Sequence, residues 1–299
     1  TPTIKIDDVL DSMVLFITAS RILNKIYLLY NRWGHNFHHF LMDIMIGMDV
    51  KIIQDNHLQV VFPAVYSKRA IPVDIINTFK DIMKIFEIDK YLILEEHCDL
   101  NISCQEMHLN IQPDKDLFIH NLMSSIPIKK VNSPYIYIQR ENSQLVLDPN
   151  LSFEDFNQNK HIYPRRFLIN SNKIKHELKK RYNFEFISTE KMSFTQRLAS
   201  VNSAQIIILE GGASLDNLHF RNKDSLVICL CPYSQNYHKG LVKHVRKWTN
   251  NIYFGSYIYD FKKSQIPKIT TSLDLFASSP WLLSENSITK MFTFLEQHL

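Results

Sequence analysis

Short apolar runs alternate along the chain with stretches whose apolar residues recur at helical spacing. Ile26-Tyr27-Leu28-Leu29-Tyr30 reads as a strand, followed by a polar loop and a helix predicted from about Phe37 to Met48. Val60-Val61-Phe62 is a second strand signal. Ile75, Phe79, Ile82, Met83 and Phe86 then share one helical face, and Tyr91-Leu92-Ile93-Leu94 returns to strand. A helix is predicted over Asp116 to Met123, before Pro127. The alternation resumes at Tyr135-Ile136-Tyr137-Ile138, with a polar loop from Asn142 to Asn159 and a basic amphipathic helix from about Asn172 to Tyr182. Phe184-Glu185-Phe186-Ile187 is the next strand. Ser193-Phe194-Thr195-Gln196 has the form of a capping box and opens a helix with Leu198 and Val201 inward. An apolar strand from Ile206, a Gly211-Gly212 loop, a helix near Leu215 to Phe220 and a strand Leu226-Val227-Ile228-Cys229 complete the pattern. Ile288, Met291, Phe292 and Leu295 mark a last helix from Ser284, expected to pack back on the first domain.

Strands that alternate with helices build parallel sheets, and short uninterrupted apolar strands belong to sheets covered on both faces. The expected fold class is α/β, with two layers sharing a cleft. A boundary near Ile128 to Ser133 divides the chain into domains over residues 1–130 and 131–299.

Bulk properties narrow the field only modestly. A chain of 299 residues with 45% hydrophobic content can bury a substantial core. The formal charge of +4 is dispersed, with mild concentrations at Lys173 to Arg181 and Lys239 to Lys247, so no nucleic-acid stripe is expected. The four cysteines fit neither a zinc spacing nor a disulfide framework, and Cys229 and Cys231 read as buried free thiols. No apolar run approaches the roughly 18 residues of a membrane span, and no signal peptide is visible. The chain starts at Thr1, so an upstream segment is expected to have been removed. A cytoplasmic, reducing location is expected.

Only six glycines occur in the chain, and two are adjacent, after Ile206-Ile207-Ile208-Leu209-Glu210 and before Ala213-Ser214. Strand, tight loop and helix start is the arrangement that presents backbone N–H groups and a positive dipole end to a phosphate. Gly212, Ala213 and Ser214 are the expected donors, with Glu210 accepting from a ribose or sugar hydroxyl and Asn217 one turn further on. The same residues also read as an ordinary strand–helix turn capped at Ser214. In Asn36-Phe37-His38-His39-Phe40-Leu41-Met42-Asp43, helical spacing puts Asn36, His39 and Asp43 on one face. An imidazole beside a carboxylate can take a proton from a hydroxyl nucleophile. That face also reads as an interfacial histidine held by its own aspartate or, with His35, as an incomplete metal site. Arg140 and Arg166 close apolar or polar segments where a guanidinium could grip two oxygens of a diphosphate. Asp114-Lys115-Asp116 matches a metal-holding Asp-x-Asp pattern but reads as a helix cap. Tyr163, Trp248 and Tyr257 could stack on sugar rings or belong to the core.

In order, these segments resemble glycosyltransferase family 61, whose bacterial members include capsular polysaccharide biosynthesis proteins. Asn36-x-x-His39-Phe40-x-x-Asp43 is similar to the family's Asn-x-x-His-aromatic-x-x-Asp/Glu helix. Tyr137-Ile138-Gln139-Arg140 resembles its strand ending in Arg, and Arg166-Phe167-Leu168-Ile169-Asn170 its Arg-x-x-x-Asn segment. Phe194-Thr195-Gln196, Ala204 and Gly212-Ala213-Ser214-Leu215-Asp216-Asn217-Leu218-His219-Phe220 resemble its Phe-x-Gln, Ala and Gly-Ala-x-Leu-x-Asn-x-x-Phe sequence. The family commonly has His-Gly before that Ala, whereas this chain has Gly211-Gly212. The stretch before residue 36 is also short for the family.

The resemblance implies two Rossmann-like domains facing a cleft (the GT-B type) and inverting transfer from a nucleotide sugar to a saccharide hydroxyl, without metal or other cofactor. It places Asp43 and His39 as catalytic residues, and Asn36 and His38 on the acceptor side. Arg140, Arg166, Asn170, Glu210, Gly211, Gly212, Ala213, Ser214 and Asn217 fall on the donor side. The partners expected are a nucleotide sugar and a saccharide acceptor, with no nucleic acid; attachment at the inner membrane face and the oligomeric state stay open. Two other classes fit parts of the pattern. One is a catalytically silent binding subunit of a polysaccharide assembly complex. The other is a metal-dependent phosphoryl or nucleotidyl transferase using Asp114 and Asp116.

Overall fold

A computed structural model of the protein describes residues 22–29, 40–41, 45, 48–63, 65–66, 69–71, 73–94, 103–109, 115–126, 133–139, 168–233, 239–257 and 280–299. The fold is mixed α/β. The chain divides into two compact units, residues 1–127 with 193–195, and 128–192 with 196–299.

In the first unit, strand β1 (Ile22–Leu28) is followed by helix α1 (Val50–Asp55), strand β2 (Gln59–Pro63), a short hairpin of β3 (Val65–Tyr66) and β4 (Arg69–Ala70), and helix α2 (Val73–Ile85). Strands β5 (Tyr91–Leu94) and β6 (Ser103–Leu109) and helix α3 (Lys115–Ser124) complete the described part. The sheet order is β5-β2-β1-β6, all parallel, with Ile26 opposite Gln59 and Val60 opposite Tyr91. Helix α2 forms where its spacing predicts, because Ile75, Phe79, Ile82 and Met83 make one stripe, all buried. That stripe feeds a run of rings in which Phe40 meets Phe62 at 5.5 Å, Phe62 stacks on Phe79 at 4.8 Å, and Phe79 meets the edge of Tyr91 at 5.5 Å. Met45 and Met48 are buried as well. The segment carrying Asn36, His38, His39 and Asp43 lies outside the described residues.

The second unit begins with β7 (Tyr135–Ile138), then helix α4 (Ser171–Tyr182), β8 (Glu185–Ile187), helix α5 (Phe194–Ser203) and β9 (Ile206–Glu210). A 3-10 helix (Ala213–Phe220), β10 (Leu226–Tyr233), α6 (Lys239–Val245), β11 (Ile252–Tyr257), β12 (Trp281–Leu283) and α7 (Glu285–Glu296) come next. The sheet order is β12-β11-β10-β9-β7-β8, parallel except for the antiparallel edge pair β11–β12. Counted in chain order within the unit, the strands run 2-1-3-4-5-6, so the winding reverses between β7 and β9. One buried cluster covers a face of this sheet: Tyr137, Ile208, Ile228, Leu230 and Trp281 from strands, Ile174 and Leu178 from α4, and Ile288, Met291, Phe292 and Leu295 from α7.

Helix α7 packs on the sheet of its own unit. Its apolar stripe faces strands only a short chain distance before it, and Ser284 caps it by accepting from the Ser287 N–H at 3.1 Å. Its ion pairs to α4, Lys173–Glu285 at 2.7 Å and Arg181–Glu296 at 3.5 Å, are exposed and contribute little beside the buried stripe.

Glycine is used sparingly in this fold. Helices α1, α2 and α4 each end in a left-handed residue, the position usually given to glycine, but here it is His57, Glu87 and Asn183. Behind α2, the Ile88 N–H donates to the Met83 carbonyl at 2.8 Å and the Glu87 N–H to that of Lys84 at 3.2 Å. Each such side-chain-bearing residue costs on the order of 1 kcal/mol relative to glycine. Gly255 in β11 has a different reason: a Cβ there would stand 2.4 Å from the Leu282 carbonyl oxygen and 2.7 Å from the Trp281 ring. Gly255→Ala must push β12 off the sheet, so urea denaturation is expected to give a loss of about 1–3 kcal/mol. An unchanged midpoint would contradict the packing of Trp281.

Candidate functional site

The centre of the second unit's sheet is apolar by necessity. All five residues of β9 are buried between β7 and β10. Parallel pairing puts Ile138 opposite Leu209 and Leu230 opposite Glu210, so Tyr137, Gln139, Ile208 and Glu210 share one face at the C-terminal rim. The Gly211 N–H extends the ladder by donating to the Leu230 carbonyl at 2.7 Å. At Gly212 the chain leaves the sheet with φ 144° and ψ −146°, a conformation that side-chain-bearing residues avoid. Gly212 is the glycine with positive φ among the described residues.

The pattern over Leu215 to Phe220 predicts an ordinary helix, but the turn winds as a 3-10 helix. The reason is local. The Leu215 N–H bonds the Gly212 carbonyl at 3.0 Å, and the Ser214 hydroxyl donates back to the Glu210 carbonyl. Asn217 Nδ2 donates to the Ser214 carbonyl at 2.8 Å, so Asn217 ties down the turn. Because the ladder of this turn starts at Leu215, the amides of residues 212–214 precede it. They form the cluster of N–H groups at the positive end of the helix dipole.

Gly211 has its own constraint. A Cβ there would meet Cys231 Sγ at 3.3 Å, the Leu230 carbonyl at 3.5 Å and Cys229 Sγ at 3.6 Å. Both are buried thiols outside any disulfide, as their place in an apolar strand predicts. Burial, then Cys231 and Glu210, pushes the Cys229 thiol well above its usual range.

A group of polar side chains lies at the same rim, where the winding reverses. The Tyr137 hydroxyl donates to Glu210 Oε1 at 2.9 Å. Lys175 Nζ, from α4, donates to Gln139 Oε1 at 2.9 Å, and Gln139 Nε2 donates to Ser188 Oγ at 3.0 Å. Glu210 is 2% exposed and Tyr137 is fully buried. Burial raises the Tyr137 pKa well above the tyrosine range, and the charge of Glu210 and the bond to it push the same way. Burial lowers the Lys175 pKa, and the Glu210 charge partly offsets that.

The structure therefore brings Glu210, Gly211, Gly212, Ala213, Ser214 and Asn217 together at one strand end. It employs Asn170 elsewhere: Asn170 Nδ2 donates to the Leu283 carbonyl at 2.8 Å and Oδ1 accepts from the Leu283 N–H at 3.2 Å, which holds edge strand β12. Tyr257 belongs to the core cluster. Arg140, Arg166, Tyr163 and Asp114 lie outside the described residues, together with Asn36, His38, His39 and Asp43. Tyr137, Lys175 and Ser188 are the polar partners that sequence reasoning misses. One signal is present for Lys175: it falls within the stripe of Ser171, Ile174 and Leu178, the buried residues of α4. Two shallow cavities, of about 240 and 490 Å³, lie in the first unit around Gln54, Glu87 and His57, by the residues that precede β2 and β5. That is the N-terminal edge of the sheet, the opposite end from where parallel sheets bind ligands.

In open parallel sheets the strand ends at such a reversal point are where ligands bind. The comparison with protein families is more specific. The family model described as Glycosyltransferase 61 matches residues 33–228, well over half the chain. The protein belongs to glycosyltransferase family 61 and is a glycosyltransferase. No curated protein matches it.

The buried Tyr137–Glu210 pair has a measurable signature. A phenol with a raised folded-state pKa contributes stability that is complete below the ordinary tyrosine pKa of about 10 and is lost as pH rises beyond it. Tyr137→Phe is expected to cost about 1–3 kcal/mol at neutral pH, because Glu210 loses the bond from the Tyr137 hydroxyl. It should also flatten the alkaline fall of the urea midpoint. An alkaline limb identical to that of the parent protein would contradict the pairing.

Proposed function

We propose that the chain is an inverting, metal-independent glycosyltransferase that moves a sugar from a nucleotide-sugar donor to a saccharide hydroxyl, with two Rossmann-like domains facing a cleft. The observation that carries the donor side is the Gly212 turn at the winding reversal, where three backbone amides precede the first bonded amide of a helix. These amides, with Arg140 and Arg166, receive the diphosphate, where negative charge accumulates in the transition state. The Gly211 amide is spent on Leu230, so this role falls to residues 212–214.

On the acceptor side, Asp43 or His39 takes the proton as the acceptor O–H bond breaks. The acceptor oxygen forms its bond to the anomeric carbon while the bond from that carbon to the diphosphate breaks. The electron pair leaves with the nucleoside diphosphate. Attack opposite the leaving group inverts the anomeric centre. Asn36 and His38 line the acceptor side of the same segment. The setting is synthesis of capsule or another surface polysaccharide, in the cytoplasm at the inner membrane face. This rests on the likeness of the ordered motifs to bacterial capsular members.

Asp43→Asn and His39→Ala test the assignment. Each is expected to lower transfer by at least about a hundredfold, the scale of a lost general base, while nucleotide affinity measured by calorimetry stays nearly intact. Normal turnover in both variants would overturn the assignment of the base.

A further inference from the structure

Strand β10 ends on an aromatic residue that stands outside the core. Residues 227–232 are buried, and Tyr233 then emerges 45% exposed. β10 lies beside β9 and outlasts it. Leu230 is opposite Glu210, so Cys231, Pro232 and Tyr233 run on past the point where the neighbouring chain turns away at Gly212. A Cβ on Gly211 would meet Cys231 Sγ at 3.3 Å and Cys229 Sγ at 3.6 Å, which puts Gly211 and both thiols on one face. Side chains alternate along a strand, so Tyr233 rises from that same face, about 7 Å beyond Cys231.

The ring is held in place from the next strand. Tyr233 meets Phe254 of β11 edge-on, with centroids 5.4 Å apart and planes at 63°. Phe254 is half-buried and lies opposite Cys231, and its carbonyl accepts from the Ser287 hydroxyl of α7 at 2.9 Å. Gly255, the following residue, pairs with Leu283 of β12. An edge contact covers at most one face of one ring, so flat aromatic surface stays open to a planar ligand. Ser256, opposite Tyr233, is small and exposed, and its hydroxyl can donate or accept.

We propose that Tyr233, backed by Phe254, is the platform on which the base of the donor nucleotide stacks. With the diphosphate on the amides of residues 212–214, the ribose covers the step from the turn to the end of β10, and the base lies flat on the ring. The inference rests on the donor reading given above and deepens it by naming what holds the nucleoside. Stacking gives affinity to any base, since every base has a π-face, while preference among bases falls to edge contacts such as that of Ser256.

Calorimetric titration of the full chain with UDP, CDP, GDP and ADP tests this, with inorganic pyrophosphate measured by displacement of the tightest of the four. Tyr233→Ala is expected to weaken that diphosphate by at least about fivefold, the scale of one lost base–aromatic stack, and to leave pyrophosphate within about twofold of its parent affinity. Tyr233→Phe, which keeps the flat ring and loses only the hydroxyl, should bind the same diphosphate within about twofold of the parent protein. Parent-like affinity in Tyr233→Ala, or a loss that is equal for pyrophosphate, would overturn the role of Tyr233 and leave the donor reading standing. A parent protein that binds none of the four diphosphates would overturn both.

Discussion

The second unit depends on how one strand ends. β9 is buried on both faces and paired on both sides, so each of its backbone groups is committed until Gly211. The chain must then turn out of the sheet. It does so through a conformation open to glycine, followed at once by a tight helix that bonds back to Gly212 and Glu210. Because β9 adjoins β7, this turn falls where the sheet's winding reverses. In open parallel sheets, connections on either side of such a point leave in opposite directions and a crevice opens at the strand ends. The geometry that satisfies the backbone is therefore also the geometry that gathers helix-leading amides at one place.

The polar residues around the turn obey the same constraint. Glu210 sits at the edge of an apolar cluster, where an uncompensated charge is costly, and the Tyr137 hydroxyl is one of the groups that serve it. Gln139 relays Lys175 to the ends of β7 and β8. The two thiols of β10 crowd the side where a Cβ at Gly211 would go. Gly211 and Cys231 thus belong to one packing arrangement.

Much of this is legible in sequence. The strands around Val60, Tyr91, Tyr135, Ile206 and Leu226 are visible as apolar runs, and α2, α4 and α7 as stripes, because each is set by burial alone. β6 is not, since Ser-Cys-Gln-Glu-Met-His-Leu mixes polar and apolar residues in the manner of the edge strand it is. β12 is only three residues long and draws its place from Asn170 and β11, which no local pattern reveals. For the same reason Asn170 looks like a ligand residue in sequence when its amide serves Leu283. The glycine pair is legible because the chain spends so little glycine elsewhere, even at helix ends. Lys175 is hidden among the solvated lysines of α4, and only the pairing of strands brings Gln139 beside Glu210.

Whether the Gly212 turn receives the donor's diphosphate is the point on which the donor side rests. Amide hydrogen exchange with and without a saturating nucleoside diphosphate addresses it directly. Slowed exchange is expected at residues 212–214 and at the end of β7 around Gln139. Protection confined to the first unit's cavities around Gln54, His57 and Glu87, with residues 212–214 exchanging as before, would contradict it.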